Sequence, residues 1–488
     1  MVPCTAICPY NCTCDDEAYV VRCATSNIDV LPLTFNPALQ QLTMYGTEIH
    51  TLDINSFHWY QDLRHVNLSK NMIMQVRPET FRNQQHLEEL HLAENNIANI
   101  TADMFLGLTN LIVLSLRGNA IESLEGRIFR YLKLLRDLDL SENRIHKLED
   151  DALGGLTNLR VLHLQSNKLH AIPALNLELV PDLAELSLGG NEFTTIQESD
   201  FQAMRTLKDL NLSGASLDGA LSLASFRGLS GLRKLNLENC GLTSVPSIPL
   251  GTLGQLEELH IGQNLFVTLP TDVLRNNRNL RSLFVSRCPY LLDVQKNVLE
   301  HNLHIKKVVI TTNPQLTYIA ADALRFLPEL RLLDLRNNNL HQISERSASW
   351  SDIEEWHLEG NPISCNCSVS WLRTLLLTPN SSGKVVCGSP RSLAGVPLRS
   401  TQMNDLACSL NLATLGLVIG VVVSGVVVVI AAVVVVMLYR HHNSCVHHLV
   451  KGHHQLAGQR GRCDLPYTHN YHQTYTMASS NPVPVTEL

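Results

Sequence analysis

The sequence lacks an excess of positive charge, and this bears on the class of partner. Its 38 lysine and arginine residues are outnumbered by 45 aspartate and glutamate residues, which gives a formal net charge of −7. A protein that binds nucleic acid through phosphates needs a basic patch or stripe to neutralise them. The charge balance therefore predicts no nucleic-acid partner.

Catalytic and cofactor motifs are also missing. The sequence contains no G-x-S-x-G, no H-E-x-x-H, no phosphate-binding P-loop and no dinucleotide fingerprint. Histidine pairs at 441–442, 447–448 and 453–454 are only a weak compositional signal for a metal. We therefore expect a binding protein that is not an enzyme, with no cofactor and no metal site.

Cysteine is scarce in the middle of the chain, where only Cys240 and Cys288 occur between residues 24 and 364. Nine cysteines lie instead in two flanking clusters: Cys4, Cys8, Cys12, Cys14, Cys23, Cys365, Cys367, Cys387 and Cys408. Such clusters predict disulfide-stapled caps in an oxidising compartment. A zinc site is the alternative, but zinc favours paired Cys-x2-4-Cys knuckles and the pairs here are Cys-x-Cys.

What the middle does contain is a repeat. The pattern L-x-x-L-x-L-x-x-N-x-L recurs from Leu39 to Ile363 at steps of 23 to 25 residues. The L-x-L triplet has the period of a short strand that buries two leucines, and the landmark Asn can donate to and accept from the backbone of neighbouring turns. Fourteen landmark positions predict fourteen units: Thr47, Asn71, Asn95, Asn119, Asn143, Asn167, Asn191, Ala215, Cys240, Asn264, Cys288, Asn313, Asn338 and Asn361.

A second apolar anchor follows each landmark by about ten residues, in line with a layered repeat unit. It is filled by Phe57, Phe81, Phe105, Phe129, Leu153, Leu177, Phe201, Phe226 and Leu274. A single unit cannot bury its own apolar face, so stability must come from stacking, and the two outermost units need covers. Cys240 and Cys288 occupy landmark positions two units apart, roughly 10 Å by strand spacing, which predicts buried free thiols and no disulfide between them.

These features resemble the 24-residue extracellular class of leucine-rich repeats with its cysteine-rich caps. The match rests on Cys8-x3-Cys12-x-Cys14-x8-Cys23 and on Cys365-x-Cys367-x3-Trp371 followed by Cys387 and Cys408. The resemblance implies an α/β leucine-rich-repeat solenoid, a horseshoe with a parallel concave sheet. Its parts would be an N-terminal cap at 4–36, fourteen repeats at 39–363 and a C-terminal cap at 361–408. It also implies the pairings Cys8–Cys14, Cys12–Cys23, Cys365–Cys387 and Cys367–Cys408.

Residues 412–438 form a run of 27 residues without a charge. This length predicts one helix across a lipid bilayer, and Arg440 directly after it places the C-terminus inside the cell. Residues 1–4 show no signal peptide, although we expect a solenoid outside a plasma membrane to need one. Gly416, Gly420 and Ser424 share one helix face and suggest a homodimer, unless they reflect only the frequency of Gly in membrane helices.

Sequons for N-glycosylation all precede the apolar run, as expected of an extracellular part. They lie at Asn11, Asn67, Asn99, Asn211, Asn366 and Asn380. Residues 439–488 have no apolar periodicity and predict a disordered cytoplasmic tail. Its last residues, Thr486, Glu487 and Leu488, match a ligand of PDZ scaffold domains, although such an ending also arises by chance.

The residue at the centre of each L-x-L triplet is expected to project from the concave sheet towards a ligand, although an ordinary solvated face is the alternative. This row reads Thr43, Asn67, His91, Ser115, Asp139, His163, Ser187, Asn211, Asn236, His260, Phe284, Val309, Asp334 and His357. Glycans at Asn67 and Asn211 would confine the ligand to the stretch between them, so we predict contacts at His91, Ser115, Asp137, Asp139, His163 and Ser187.

The resemblance leaves three functions open. They are an adhesion or guidance receptor for an extracellular protein, an innate-immune receptor without its own signalling domain, and a co-receptor for a soluble ligand. The short tail looks like a tether to a scaffold, which favours the first. Fold alone does not choose among them.

Overall fold

The structure is a computed structural model, and it describes residues 8–24, 27–378, 384–408 and 412–450. The chain divides into two compact units, Met1–Ser409 and Leu410–Leu488. Cys4, the sequon at Asn380 and the terminal residues Thr486, Glu487 and Leu488 lie outside the described residues.

Twenty-five strands and four α-helices make up the described chain. The strands are β1 Cys12–Asp15, β2 Val20–Ala24, β3 Gln41–Tyr45, β4 Thr51–Leu52, β5 His65–Asn67, β6 Gln75–Val76, β7 Glu89–His91, β8 Val113–Ser115, β9 Ser123–Leu124, β10 Asp137–Asp139, β11 Lys147–Leu148, β12 Val161–His163, β13 Glu185–Ser187, β14 Asp209–Asn211, β15 Lys234–Asn236, β16 Glu258–His260, β17 Thr268–Leu269, β18 Ser282–Phe284, β19 Asp293–Val294, β20 Lys307–Val309, β21 Tyr318–Ile319, β22 Leu332–Asp334, β23 Glu355–His357, β24 Ile363–Ser364 and β25 Cys387–Ser389. The helices are α1 Ala174–Leu177, α2 Ser247–Leu250, α3 Ser370–Leu376 and α4 Leu412–Val450.

One sheet of 16 strands carries the repeats. Fourteen of its strands, from β3 to β23, come one from each predicted repeat and pair in parallel, which confirms the predicted solenoid. The three-residue strands bury their central residue, and most of them leave the two flanking residues half-buried on the outward face, as β7 does with Leu90 between Glu89 and His91. In the longer β3 the buried residues are Leu42 and Met44, on either side of Thr43. This alternation is what a sheet with one buried face requires.

The landmark asparagines form hydrogen bonds to the backbone of neighbouring turns, as predicted. The Asn95 amide nitrogen donates to the carbonyl oxygens of Leu68 and Leu92, both at 3.0 Å. Its amide oxygen accepts from the backbone N–H of Ile73, also at 3.0 Å. Asn119 and Asn143 repeat this arrangement one and two turns further on. The ladder satisfies backbone groups that would otherwise be buried without partners.

Every repeat also makes a turn that the sequence pattern did not predict. The residue before each of the fourteen landmark positions has a positive φ, for example 66° at Gly118, 53° at Glu94 and 59° at Thr312. Only five of these residues are glycine, so the left-handed conformation is imposed on side chains that seldom adopt it. Backbone hydrogen bonds hold it in place, such as the one from the N–H of Glu94 to the carbonyl of Arg117 at 2.7 Å.

The convex side is built from apolar anchors, turns and short parallel ladders. The rings of Phe57 and Phe81 pack against each other in successive turns with centroids 5.2 Å apart, and those of Phe105 and Phe129 do so at 5.6 Å. Helices α1 and α2, each of four residues, are the only α-helices among the described repeats. The convex layer is therefore thin, and each repeat relies on its neighbours for burial.

The ends of the solenoid are closed by four disulfides, which confirm the predicted pairings Cys8–Cys14, Cys12–Cys23, Cys365–Cys387 and Cys367–Cys408. At the N-terminus, β1 and β2 form an antiparallel hairpin whose second strand pairs with β3. At the C-terminus, Trp350 packs against Trp356 and against Trp371 of α3. Both covers shield apolar surface that the outermost repeats would otherwise expose.

The apolar segment is a helix, α4, that is longer than predicted. It runs from Leu412 to Val450 and does not end at Leu438, so residues 439–450, predicted as part of a disordered tail, are helical. The rest of the predicted tail, residues 451–488, lies outside the described residues. Residues 439–450 contain neither proline nor glycine, and nothing in their sequence ends the helix. A stretch of 22 residues, Ile419–Arg440, is long and apolar enough to cross a membrane, with a mean hydropathy of 3.3.

The concave face as candidate ligand-binding site

Each inner strand presents two outward residues to the concave face, one on either side of its buried centre. The row at the second of these positions was predicted. The first row was missed except for Asp137, although the same period-2 alternation defines it. That row reads Gln41, His65, Glu89, Val113, Asp137, Val161, Glu185, Asp209, Lys234, Glu258, Ser282, Lys307, Leu332 and Glu355.

The concave face is acidic. Its charged residues are those of these two rows and of a third row, which lies two residues after each member of the second row. The three rows hold ten carboxylates, at Glu89, Asp137, Asp139, Glu185, Asp209, Glu238, Glu258, Asp334, Glu355 and Glu359, against four cations, at Arg117, Lys234, Lys307 and Arg336. With histidines neutral, the face carries a net charge of −6, close to the −7 of the whole chain. Such a field attracts positively charged surfaces.

The excess is concentrated between β10 and β14. Asp137, Asp139, Glu185 and Asp209 lie there without a lysine or arginine in the three rows, and we call these four residues the acidic stretch. Burial raises the pKa of the Asp137 carboxyl, which the charge of His163 lowers and that of Asp139 raises. Burial also raises the pKa of Asp209. Asp137 and Asp209 therefore hold negative charge at a cost to the folded state.

Histidines on the same face lie beside glutamates. The closest nitrogen-to-oxygen distance is 2.7 Å from His260 to Glu258 and 2.8 Å from His357 to Glu355. The pairs in the first half are looser: His65–Glu89 at 3.4 Å, His91–Glu89 at 3.6 Å and His163–Glu185 at 3.9 Å. The loose pairs leave polar atoms available to a ligand, whereas the tight ones are engaged within the face.

Five of the six predicted contact residues open onto the concave face. His91, Ser115, Asp137, Asp139 and His163 are half-buried and lie on neighbouring strands in register. The structure thus brings together residues that are up to 72 positions apart in the sequence. Their shared orientation follows from the parallel register.

The expectation for Ser187 needs correction. It lies on the concave strand β13, but only 6% of its surface is exposed, so it cannot offer a broad contact. Its short side chain is flanked in register by His163 and Asn211. The amide nitrogen of Asn211 donates to its hydroxyl at 3.1 Å and covers it further. A small residue between larger neighbours is shielded by them.

Part of the variation in the predicted row has a structural cause. In five repeats the residue at this position is Asn or Asp, and its side-chain oxygen accepts from the backbone N–H two residues further on at 2.9 to 3.1 Å: Asn67, Asp139, Asn211, Asn236 and Asp334. These side chains terminate the strand by an Asx turn. Their identity is thus fixed partly by the turn, not only by a ligand.

The second half of the concave face is less acidic and more aromatic. Phe284 stacks on His260 with ring centroids 4.2 Å apart and planes inclined by 8°. The ammonium of Lys307 lies 5.0 Å from the centre of the Phe284 ring. Val309 follows Phe284 in register, and Leu332 follows Lys307. Aromatic side chains of this kind often anchor protein interfaces, and no periodicity in the sequence marks this group.

The sequons fall into two groups among the described residues. Asn11, Asn99 and Asn366 are exposed, and none of them lies within a strand of the large sheet. Asn67 and Asn211 are half-buried on the sheet itself, where their side-chain oxygens cap the backbone. A glycan on either would stand over the concave face.

Cys240 and Cys288 are buried and free, as predicted. Burial raises the pKa of Cys240 to about 12 and that of Cys288 to about 11. The Cys240 thiol lies 3.3 Å from the carbonyl of Leu212, where a landmark amide would donate. Both thiols are structural replacements for asparagine and lack the exposed, low-pKa character of reactive cysteines.

Comparison with known proteins agrees with this geometry. Residues 61–121, 85–145, 109–169, 181–242 and 230–289 match the leucine rich repeat family, and residues 384–409 match the leucine rich repeat C-terminal domain. The chain belongs to the leucine-rich-repeat family.

Relatives of this leucine-rich-repeat chain include two receptor or receptor-like proteins. Reticulon-4 receptor-like 2 of Rattus norvegicus is 34% identical over 110 residues, which are 22% of this chain and 26% of that protein. The high affinity nerve growth factor receptor of Mus musculus is 30% identical over 100 residues, 20% of this chain and 12% of that receptor. The match therefore spans about a quarter or less of the relatives' own length.

Among solved structures, the TLR13–ssRNA13 complex has a similar fold. The alignment has a TM-score of 0.55 and 24% sequence identity, and it covers 76% of this chain and 55% of that one. At this identity the likeness concerns the fold alone. It confirms the solenoid and says nothing about the ligand.

Proposed function

We propose that this chain is a single-pass cell-surface receptor that binds an extracellular protein on its concave face for adhesion, guidance or cell–cell recognition. The observation that carries the proposal is the acidic stretch, which opens onto a concave parallel sheet. Concave sheets of solenoids provide extended binding surfaces. The relatives with receptor names and the helix long enough to span a membrane support a place at the cell surface.

The ligand would present lysine or arginine side chains to the acidic stretch. Keeping Asp137 and Asp209 charged costs stability, as their raised pKa values show, and functional sites commonly carry such a cost. His91, Ser115 and His163 would contribute hydrogen bonds beside the carboxylates. Glycans at Asn67 and Asn211 would delimit the site on both sides.

Charge reversal at Asp137 and Asp139 tests the proposal. The double variant Asp137→Lys, Asp139→Lys should weaken ligand binding by at least tenfold, about 1.4 kcal/mol or more. Asp150→Lys, an exposed carboxylate outside the concave strands, is the matched control and should leave binding unchanged. Equal binding by both variants would place the ligand elsewhere.

Identification of the ligand separates the three functions. Soluble residues 8–408 would be screened against an array of cell-surface ectodomains, secreted proteins and microbial glycans. Binding to a cell-surface protein supports adhesion or guidance, and binding to a soluble secreted protein supports the co-receptor role. Binding only to microbial glycans supports the immune role and contradicts the adhesion proposal.

Orientation follows from the charge after the apolar segment and from the position of the sequons, both of which favour an extracellular N-terminus. A tag before residue 8 should be accessible on intact cells, and glycosidase treatment should increase the electrophoretic mobility of the chain. Gly416, Gly420 and Ser424 lie in α4 and would form a helix–helix contact in a homodimer. Gly420→Leu should then reduce cross-linking of two tagged copies.

For output inside the cell we propose that Thr486, Glu487 and Leu488 bind a PDZ domain by adding a strand to its sheet. A peptide of the last ten residues should recover PDZ proteins from lysate. The same peptide without Leu488 should not, because the terminal side chain and its carboxylate are both displaced. Equal recovery by the two peptides would exclude this coupling.

A further inference from the structure

Large apolar side chains are exposed together on one lateral flank of the solenoid, beside the concave face. They are Leu265, Val267, Tyr290, Leu292 and Tyr318, each between 38% and 57% exposed. They belong to three consecutive repeats, and the parallel ladder β17–β19–β21 holds those repeats in register. The backbone N–H of Leu292 donates to the carbonyl of Val267 at 2.8 Å, so these residues are neighbours across the ladder.

This apolar flank is not a property of the repeat itself. The positions equivalent to Leu265 and Val267 hold no large apolar residue in the middle of the solenoid, where Arg144 and His146 occupy one repeat and Lys168 and His170 the next. Only the second repeat resembles the flank, with exposed Met72 and Met74. Contiguous exposed apolar groups of this size on a folded protein commonly mark an interaction site.

The flank is continuous with the aromatic group on the concave face. Between the two surfaces lies a rim of small residues, Gly262, Ser286 and Thr311, one from each repeat. The hydroxyls of Ser286 and Thr311 are 2.9 Å apart and bond to each other. A Cβ at Gly262 would lie 2.6 Å from the carbonyl oxygen of Ser286, which is too close for an ordinary contact. The rim therefore carries no projecting side chain at this position. A partner could therefore contact both faces across the rim.

Two cations of this region, one beside the rim and one on the concave strand β20, have no carboxylate partner among the described residues. Arg287 and Lys307 form no ion pair within the described part of the chain, whereas nearby Arg233 and Arg281 both lie within 3.5 Å of Glu257. Lys307 instead lies above the Phe284 ring. Apolar groups beside unpaired cations complement a surface that carries apolar side chains and carboxylates.

The same segment also lacks sequons. No Asn-x-Ser/Thr occurs between Asn211 and Asn366, so no N-linked glycan would grow from any of these repeats. In the first half of the solenoid, by contrast, Asn99 carries a sequon on the equivalent flank position. The apolar flank and its rim are accessible to a protein.

We infer that the apolar flank, the rim and the Phe284 group form a second docking surface, for a protein that presents apolar side chains flanked by carboxylates. We call it the rim surface. It goes beyond the ligand proposed for the acidic stretch, since it lies on different repeats and has the opposite charge preference. It stands even if the acidic stretch binds nothing.

The test uses the full chain displayed on cells, with tetramers of an ectodomain library as the probe. Val267→Glu and Tyr290→Glu place charge on the flank, and Arg287→Glu reverses the charge at the rim. Met74→Glu is the matched control, because Met74 holds the position of Val267 in the second repeat. We expect at least one library protein to lose tenfold or more of its binding to all three flank and rim variants while retaining it on Met74→Glu and on Asp137→Lys.

Surface amounts of each variant, measured by an antibody to an N-terminal tag, show whether it folds. If Tyr290→Glu is retained in the cell, the exposed Arg287→Glu serves as the deciding variant. The inference is wrong if every library protein that binds the unmodified chain also binds the flank and rim variants equally well. It is also wrong if no library protein loses binding in all three variants. Co-precipitation of two tagged copies that depends on Tyr290 would identify a second copy as the occupant and would also overturn it. A binder lost only in Asp137→Lys supports the receptor proposal and counts against the rim surface.

Discussion

The two halves of the solenoid follow different rules. From β5 to β14 the strands recur every 24 residues, and all six landmark positions between Asn71 and Asn191 hold asparagine. From β14 onwards the step varies from 23 to 25 residues, and Ala215, Cys240 and Cys288 interrupt the asparagine ladder. The regular half carries the acidic stretch, whereas the irregular half carries the aromatic group and the apolar flank.

The difference shows that stacking and surface chemistry are specified separately. The buried leucines and the parallel register continue through both halves, even where the landmark changes. Where Cys240 replaces asparagine, its backbone N–H donates to the amide oxygen of Asn264 at 2.9 Å, so the next landmark maintains the connection. A repeat can therefore vary in length and in outward residues while its core remains intact.

Breaking the C-terminal cap should give the largest loss of stability. It should destabilise the second half of the solenoid more than the first. Cys367→Ser removes the disulfide to Cys408, and we expect a loss of about 2–5 kcal/mol of stability. Because each repeat contacts only its neighbours, unfolding should begin at the last repeats. Hydrogen exchange should show faster exchange at β22 and β23 than at β7. A uniform increase along the whole solenoid would contradict this.

The landmark ladder comes next. Asn119→Ala removes donors to Leu92 and Leu116 and an acceptor for Ile97, each at 2.9 or 3.0 Å. The carbonyls of Leu92 and Leu116 keep their bonds from Asn95 and Asn143, so the buried N–H of Ile97 is the group left unpaired. With the two lost donors, the substitution should cost about 2 kcal/mol. Cys240→Ala loses only a weak thiol contact and should cost about 1 kcal/mol. Chemical denaturation of residues 8–408 measures both, and equal losses would show that the two halves depend on the landmark alike.

Removing a charge from the acidic stretch should stabilise the folded chain, whereas the preceding substitutions destabilise it. The pKa of Asp137 is raised in the folded state, so the folded chain binds this proton more tightly than the unfolded chain. Its contribution to stability is thus full below the ordinary carboxyl pKa and is lost as the pH rises through the raised one. Asp137→Asn should therefore raise the melting temperature at neutral pH and have no effect at pH 3.

The exposed Asp150→Asn is the control for that measurement and should change the melting temperature little at either pH. If Asp137→Asn lowered stability at neutral pH, the charge of Asp137 would be a folding contact. The argument that it is kept for a ligand would then fail.

The thiols of the irregular half should give the smallest effect on folding and the clearest difference in accessibility. With pKa values of about 12 and about 11 and no exposed surface, Cys240 and Cys288 should not react with a maleimide at neutral pH. Mass spectrometry of residues 8–408 should find label on them only after denaturation. Labelling under native conditions would mean that these repeats open locally.

Much of the fold follows from local patterns. The L-x-L period gives the strands, the landmark asparagines give the ladder, and the resemblance to capped leucine-rich repeats gives all four disulfide pairings. These predictions succeed because each repeat makes the same contacts with its neighbours, so one unit describes the next. Five of the six predicted contact residues open onto the concave face for the same reason.

The misses share a different cause. No local signal predicts a left-handed conformation at Glu94 or Thr312, because hydrogen bonds from the next turn impose it. Ser187 is covered by side chains that precede and follow it by 24 residues. The extension of α4 to Val450 had a local signal, the absence of helix breakers, which the predicted polar tail obscured.

The sequence by itself determined the repeat, its number, its caps and the alternation of buried and outward residues, because these depend on periodicity and on contacts between adjacent units. Only the tertiary structure decided which residues outside the concave strands share a surface. Val267, Tyr290 and Tyr318 are more than twenty residues apart in turn, and only the lateral ladder makes them one flank. Which side chains are neighbours across stacked turns depends on register and local repeat length. The sequence of a single repeat does not specify these neighbours.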